Sequence, residues 1–324
     1  MKLPVFLAAA ALSLAGSALA SNMIRAVIAV DQKIEIQNVP KPEPQAGQVR
    51  VRVHSVSVNP VDWKLVDWAR PGTRQIPGRD FSGVIDAVGP SAGDWKVGDE
   101  VVGITVGSYA EYVLANVKSI ARKPKNVSFD EAAGIGVVGE TAWRAIVTVG
   151  DVKPGQRVLI HGGAGGVGSS AVQIAKARGA HVIATASARN HDFLRSLGAA
   201  EVIDYNTTKF EEKVKDIDMV LNTVDRETGM RSMSIIKSGG ILVSIVGPMP
   251  AEACAAAKIR CAETGRANGE LLSNVVELAE AGQFRVSIEQ RLTLADTEKA
   301  WESNRKGHTR GKIILRVMPH QPMP

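Results

Sequence analysis

The sequence predicts an α/β fold, with a doubly wound parallel sheet joined to a mostly antiparallel β domain. Three observations predict it. A glycine-rich run, His161-Gly-Gly-Ala-Gly-Gly-Val-Gly168, separates the apolar stretch Arg157–Ile160 from helical periodicity over Ser169–Arg178. Beyond it, β-rich runs alternate with helical stretches. Before it, short runs are divided by Gly, Pro and Asp turns. The 324 residues suggest about two domains, and a hydrophobic content of 45% is ample for two cores.

In chain order, Met23–Val30 reads as the first strand of a folded domain. Gln48–Val53 alternates apolar and polar with period two, as a half-buried strand does. Phe81–Val88, Glu100–Val106 and Tyr109–Leu114 are further short strands. After Gly168 come His181–Ala186, Glu201–Ile203, Asp218–Asn222 and Gly240–Val246, spaced for parallel pairing through crossover helices. From Leu271 a helix returns, followed by a strand at Gln290–Leu294, a short helix over Asp296–Arg305 and a closing strand at Lys312–Val317. The expected division is 23–130 and 269–318 for the β domain and 131–268 for the parallel-sheet domain.

Residues 1–20 stand apart. One early lysine, an apolar run from Val5 to Gly16 and the small-x-small pattern Ala18-Leu19-Ala20 form the layout of a secretory signal. The apolar run is too short to span a bilayer comfortably, so no integral membrane segment is expected in the mature chain. The alternative is a start at Met23, since Ile24–Val30 opens the domain directly. A periplasmic or secreted location follows from the first reading and a cytoplasmic one from the second.

Charge and composition exclude several function classes. The net charge of +6 is interspersed and only 4% of residues are aromatic, so no base-stacking nucleic-acid surface is indicated. Two cysteines are present, Cys254 and Cys261. If the alanine-rich stretch around them is helical, a separation of seven places them about 10 Å apart, too far for a disulfide. No CxxC or HExxH motif occurs, so no metal site is expected.

Strand, glycine turn and helix, in that order, make a dinucleotide-binding unit. Gly162, Gly165, Gly166, Val167 and Gly168 would let a pyrophosphate reach backbone N–H groups at the helix start. The next strand ends in Ser187-Ala-Arg189-Asn190 rather than in the Asp or Glu that binds a ribose 2′-hydroxyl. A hydroxyl and a guanidinium suit a 2′-phosphate, which selects NADPH as cofactor. The competing reading makes Arg189 a solvated residue near a helix start.

Ordered blocks then carry a resemblance. They are Asn59-Pro-Val-Asp-Trp-Lys64, Pro77-Gly-Arg-Asp-Phe-Ser-Gly-Val84, Trp95-Lys-Val-Gly-Asp-Glu-Val101, Gly107-Ser-Tyr-Ala-Glu-Tyr112, Gly139-Glu-Thr-Ala-Trp143, the glycine loop, and Gly307-His-Thr-Arg-Gly-Lys-Ile-Ile314. Over Met23 to about Val317 the chain resembles the zinc-independent quinone oxidoreductase (zeta-crystallin-like) branch of the medium-chain dehydrogenase/reductases. The resemblance implies a GroES-like β domain, a Rossmann domain following it, and a C-terminal return to the first. Where zinc alcohol dehydrogenases carry a cysteine ligand this chain has Val56-Ser-Val-Asn59, and where they have Gly-His-Glu it has Gly78-Arg-Asp80.

Without zinc there is no Lewis acid to hold an alkoxide, whereas hydride donation to a quinone or a conjugated carbonyl stays feasible. The small-molecule substrate is therefore expected to be one of these, with a homodimer as the assembly. A zinc-free alcohol dehydrogenase and a non-catalytic cofactor-binding protein are the alternatives. By resemblance, Asn59 holds the substrate carbonyl, and Asp62 supplies a proton or caps a helix. Lys64 polarises the carbonyl or is a plain surface lysine. Thr141 meets the nicotinamide end. Tyr205 flanks the adenosine phosphate, Asn222, Val246 and Gly247 lie at the carboxyl edge of the sheet, and Lys312 is a further cofactor candidate.

Overall fold

The computed structural model describes residues 22–317, so the signal-like segment lies outside the described residues. The β domain opens with the antiparallel pair β1 (Met23–Val30) and β2 (Lys33–Pro40). Then follow β3 (Gln48–Ser57), helix α1 (Pro60–Asp67), β4 (Asp80–Val88), β5 (Glu100–Ile104), β6 (Tyr112–Asn116) and β7 (Ile120–Arg122). Strand β5 stops two residues before the predicted end, and β6 begins three after the predicted start. Gly107, at φ +80°, turns the chain between them, and the Gly107, Ser108 and Tyr109 N–H groups donate to the Gly78 and Pro77 carbonyls.

Helices α2 (Phe129–Ala133) and α3 (Gly136–Trp143) carry the chain into the second domain. There β8 (Arg157–Ile160), α4 (Gly166–Ala177), β9 (His181–Ala186), α5 (His191–Leu197), β10 (Glu201–Asp204), β11 (Ile217–Asn222), α6 (Arg226–Ser232), β12 (Ile236–Ser244), α7 (Ala251–Ala256) and β13 (Arg260–Glu263) alternate. The six strands lie in the order β10-β9-β8-β11-β12-β13 and every pair is parallel. Because crossover helices cover both faces, strands such as Arg157–Ile160 are apolar without alternation. On α4, Ala171, Val172, Ile174 and Ala175 are fully buried. Each branched aliphatic among them contributes about 1.5–3 kcal/mol through burial.

Helix α8 (Leu272–Glu280) leads back, and β14 (Ile288–Thr293), α9 (Thr297–Arg305) and β15 (Lys312–Arg316) return to the β domain. Strand β15 pairs with both β14 and β3. The larger sheet of the first domain thus joins strands from both ends of the chain, in the order β14-β15-β3-β4-β5-β7, with β6 paired to β3.

One expectation is overturned. Cys254 and Cys261 form a disulfide, with Cα atoms 6.1 Å apart. The helical premise fails because α7 ends at Ala256, Lys258 adopts φ +56°, and Cys261 already lies on β13. A helix that stops midway and reverses brings the two sulfurs together.

Candidate active site

The glycine loop lies at the carboxyl ends of β8, β9 and β11, on the rim of a cavity of about 610 Å³. Gly162 takes φ +66°, and a side chain there would meet the Thr223 hydroxyl at 2.5 Å. Gly168 leaves α4 free to approach the loop, since a Cβ would collide with the Gly162 carbonyl. Gly165 differs from both. Its φ of −73° suits any residue, and a Cβ there would meet no protein atom nearer than 3.5 Å, yet it lines the cavity at the helix start. The space beside it is a cradle that fits a pyrophosphate reaching the first N–H groups of α4.

Gly162, Gly165, Ser187, Arg189 and Tyr205 of the predicted cofactor residues line this cavity. Arg189 and Tyr205 are exposed, the latter by 53%. Ser187 accepts from the Asn190 amide at 3.2 Å, and Arg189 donates to the His308 carbonyl at 3.3 Å. Gly166, Val167 and Gly168 continue into α4, with Gly166 against Val138 and the stem of Lys312. Thr141 lies half-buried on α3, away from the cavity wall. Asn222 is fully buried and shapes the turn after β11, donating to the Asp225 carbonyl at 2.7 Å and accepting from the Val224 N–H. Its neighbours Thr223, Val224 and Asp225, rather than Asn222 itself, reach the cavity. Val246 and Gly247 lie past β12 and do not line it.

Sequence reasoning missed His161, Phe210 and Arg231, which also line the cavity. His161 is buried between the Thr185 and Ser232 hydroxyls at 3.2 and 2.9 Å, edge-on to Phe210. Burial, with Arg231 nearby, holds its pKa down at about 4, so it is neutral. Arg231 stacks over Phe210 and pairs with Glu211 at 2.8 Å.

A second polar cluster is buried beneath the Asn-Pro-Val-Asp loop. Asp80 Oδ2 accepts from the Ser57 hydroxyl at 2.6 Å and the Asn59 amide at 2.8 Å, and its Oδ1 accepts from the Val137 N–H at 2.7 Å. Lys312 Nζ donates to Asn59 Oδ1 at 2.6 Å and to the Val58 carbonyl at 2.9 Å, and stands 3.9 Å from Asp80. Both ends of the Asn59 amide are thus engaged within the protein. Burial lowers the Lys312 pKa against the pull of Asp80 and Asp62. Asp62 Oδ2 accepts from the Asn59 N–H at 2.8 Å, capping α1, and from the Tyr109 hydroxyl at 3.0 Å. Its Oδ1 is buried without a partner. Burial pushes the Asp62 pKa up to about 7, opposed by the Asn59 N–H, and also pushes Tyr109 up.

Lys64 lies apart from this cluster, half-buried, with its ammonium 5.5 Å from the Trp63 ring centroid. Ser57, Asp80 and Tyr109 were the members that sequence reasoning did not single out. Only the pairing of β4 with β3 brings Asp80 opposite Ser57. No three His, Cys, Asp or Glu side chains converge among the described residues, and a buried lysine already supplies the cation beside Asp80. This donor set does not fit zinc.

Three family models match the chain. They are an alcohol dehydrogenase GroES-like domain over residues 45–125, an alanine dehydrogenase/PNT C-terminal domain over 134–238, and a zinc-binding dehydrogenase over 197–315. The chain is 32% identical over 303 residues to a chloroplastic quinone-oxidoreductase of Triphysaria versicolor, an alignment covering 86% of this chain and 92% of that protein. It is 30% identical over 328 residues to a mitochondrial NAD(P)H oxidoreductase of Danio rerio, covering 85% of each. Among solved structures, a quinone oxidoreductase from Coxiella burnetii superposes with a TM-score of 0.82 at 31% identity, covering 91% of this chain and all of that one.

Proposed function

Because the chain belongs to the medium-chain dehydrogenase/reductase superfamily, on its quinone oxidoreductase branch, we propose that it is an NADPH-dependent reductase of quinones or α,β-unsaturated carbonyls that works without a metal. The observation that carries the cofactor choice is the joint placement of Ser187 and Arg189 on the wall of the glycine-loop cavity, where an NAD site presents an acid. NADPH bound there would supply the hydride. The chain's own contribution is to hold the cofactor and to polarise the acceptor.

The buried Ser57–Asp80–Asn59–Lys312 cluster supports the metal-free part of the reading, since it fills the region around Asp80 with hydrogen-bonded partners. In it Asn59 is a positioning residue, fixed by Asp80 and Lys312, that sets the start of helix α1, which carries Lys64. Lys64 makes no ion pair among the described residues, which leaves its charge free to draw electron density toward a substrate carbonyl oxygen. Steady-state oxidation of NADPH by a simple benzoquinone tests the activity. No turnover with quinones or enones, in protein that binds NADPH, would leave a non-catalytic cofactor-binding role.

A further inference from the structure

The disulfide lies at the outermost strand of the parallel sheet, yet its neighbours run without a break to the glycine-loop cavity. Helix α7 has six residues, too few for a helix to persist on its own hydrogen bonds. It is anchored by Cys254, which is buried in the same apolar core as Phe210 of the cavity wall, and by the bond from Cys254 to Cys261 on β13. Strand β13 is held separately, by parallel pairing with β12. The bond thus ties a weak element to a firm one.

Met249 stands two residues before α7 and packs against that core. A side chain at Gly229 on α6 would meet the Met249 sulfur and the Asn222 amide nitrogen, each at 2.8 Å, so these groups are closely packed. The Ile245 N–H, from the same connecting segment, donates to the Asn222 carbonyl. Asn222 sets the turn that carries Thr223, Val224 and Asp225 to the cavity wall. Around Gly229, α6 supplies Thr228 to that wall and the Ser232 hydroxyl to His161. Cys261 is only half-buried, and Lys258 and Arg260 flank it, both exposed. Cations beside a cysteine favour its thiolate and ease its departure in thiol exchange.

Resting on the reading of this cavity as the dinucleotide site, though not on the choice of NADPH over NADH, we propose that the Cys254–Cys261 bond is a redox switch that sets cofactor affinity through Met249. A dithiol reductant opens it by exchange. Its first thiolate bonds to the Cys261 sulfur and Cys254 leaves; its second then displaces Cys261. The two protons of the dithiol end on the cysteines, and the dithiol ends as a disulfide. With α7 released, Met249 loosens from Asn222 and Gly229, and the turn at Thr223–Asp225 loses its support.

Fluorescence titration of the full chain with NADPH and with NADH tests this in three forms: oxidised, reduced by excess dithiothreitol, and carrying Cys254→Ser with Cys261→Ser. Reduction is expected to raise the Kd of both cofactors about five- to tenfold, and reoxidation to restore it. The double variant is expected to match the reduced form with or without dithiothreitol. Met249→Ala is expected to bind weakly when oxidised and to lose most of the response to reduction. Equal affinity in the oxidised and reduced wild type overturns the inference and leaves the cofactor reading standing. A reduced chain that loses its near-ultraviolet circular dichroism also overturns it, since the bond would then only hold the fold, and so does a full response kept by Met249→Ala. If no form binds either dinucleotide, the cofactor reading falls and takes this inference with it.

Discussion

At Asp62 one oxygen accepts two hydrogen bonds while the other is closed off from water with none, and the carboxyl pKa moves up to about 7. An unfolded aspartate ionises near pH 4, so between about pH 4 and 7 the folded state keeps a proton that the unfolded state releases. Stability from this group therefore falls as pH rises through that window and levels off above it. His161 has the opposite sign. Its neutral ring costs stability as pH falls from about 6.5 to about 4. The two slopes overlap, so the test is a difference. The stability of the wild type relative to Asp62→Asn is expected to decline from pH 4 to 7, by at most about 1.4 kcal/mol per pH unit. Urea midpoints across that range check it, and a flat difference would mean Asp62 is ionised throughout. Arg189→Ala is expected to weaken NADPH by about 1.5–3 kcal/mol and leave NADH alone, read by fluorescence titration. Ser187 and Arg189 were legible because a strand end fixes where they point. Asp80 and Tyr109 were not, since their partners are 23 and 47 residues away in sequence and meet only through the folded sheet.

The helices and strands of the parallel sheet were the most readable elements, because strands such as His181–Ala186 are β-rich and buried on both faces and glycine marks the turns. The stretch from Ala251 to Cys261 misled for a local reason. Alanine favours helix at every position, but Lys258 at φ +56° turns the chain back, and nothing in its side chain announces that. The disulfide then staples α7 to β13, the edge strand of the sheet. Replacing both cysteines with serine is expected to lower stability by about 2–3 kcal/mol, from the loop-closure entropy of so short a loop. Chemical denaturation under non-reducing conditions measures it. No change would show that the thiols are unpaired in solution.

The two domains were legible from the contrast between short, turn-divided β runs before the glycine loop and strand–helix alternation after Gly168. The bridge from Gly311 to Gly165 was not, because nothing in Gly307–Gly311 reveals that this stretch crosses to the other domain's loop. At this scale the expected metal content is none. Elemental analysis of purified protein should find well under one zinc per chain, and chelators should leave NADPH oxidation intact. Stoichiometric zinc would sink the metal-free reading. N-terminal sequencing of protein from fractionated native cells is expected to read Ser21 in the exported fraction, whereas Met23 in the cytoplasm would refute export. An exported chain would have to carry its NADPH with it.

Quinones and enones are soft electrophiles that add to thiolates, so an enzyme that concentrates them at its surface risks alkylating itself. Every cysteine of this sequence, Cys254 and Cys261, is used up in one bond. A sulfur in a disulfide has no lone thiolate to offer. The staple at the sheet edge therefore also closes the thiolate route by which the compounds it is proposed to reduce would alkylate it. That protection would vanish once a reductant opened the bond, and peptide mapping after brief exposure to benzoquinone would then find adducts on Cys254 and Cys261 where the oxidised chain carries none at those positions.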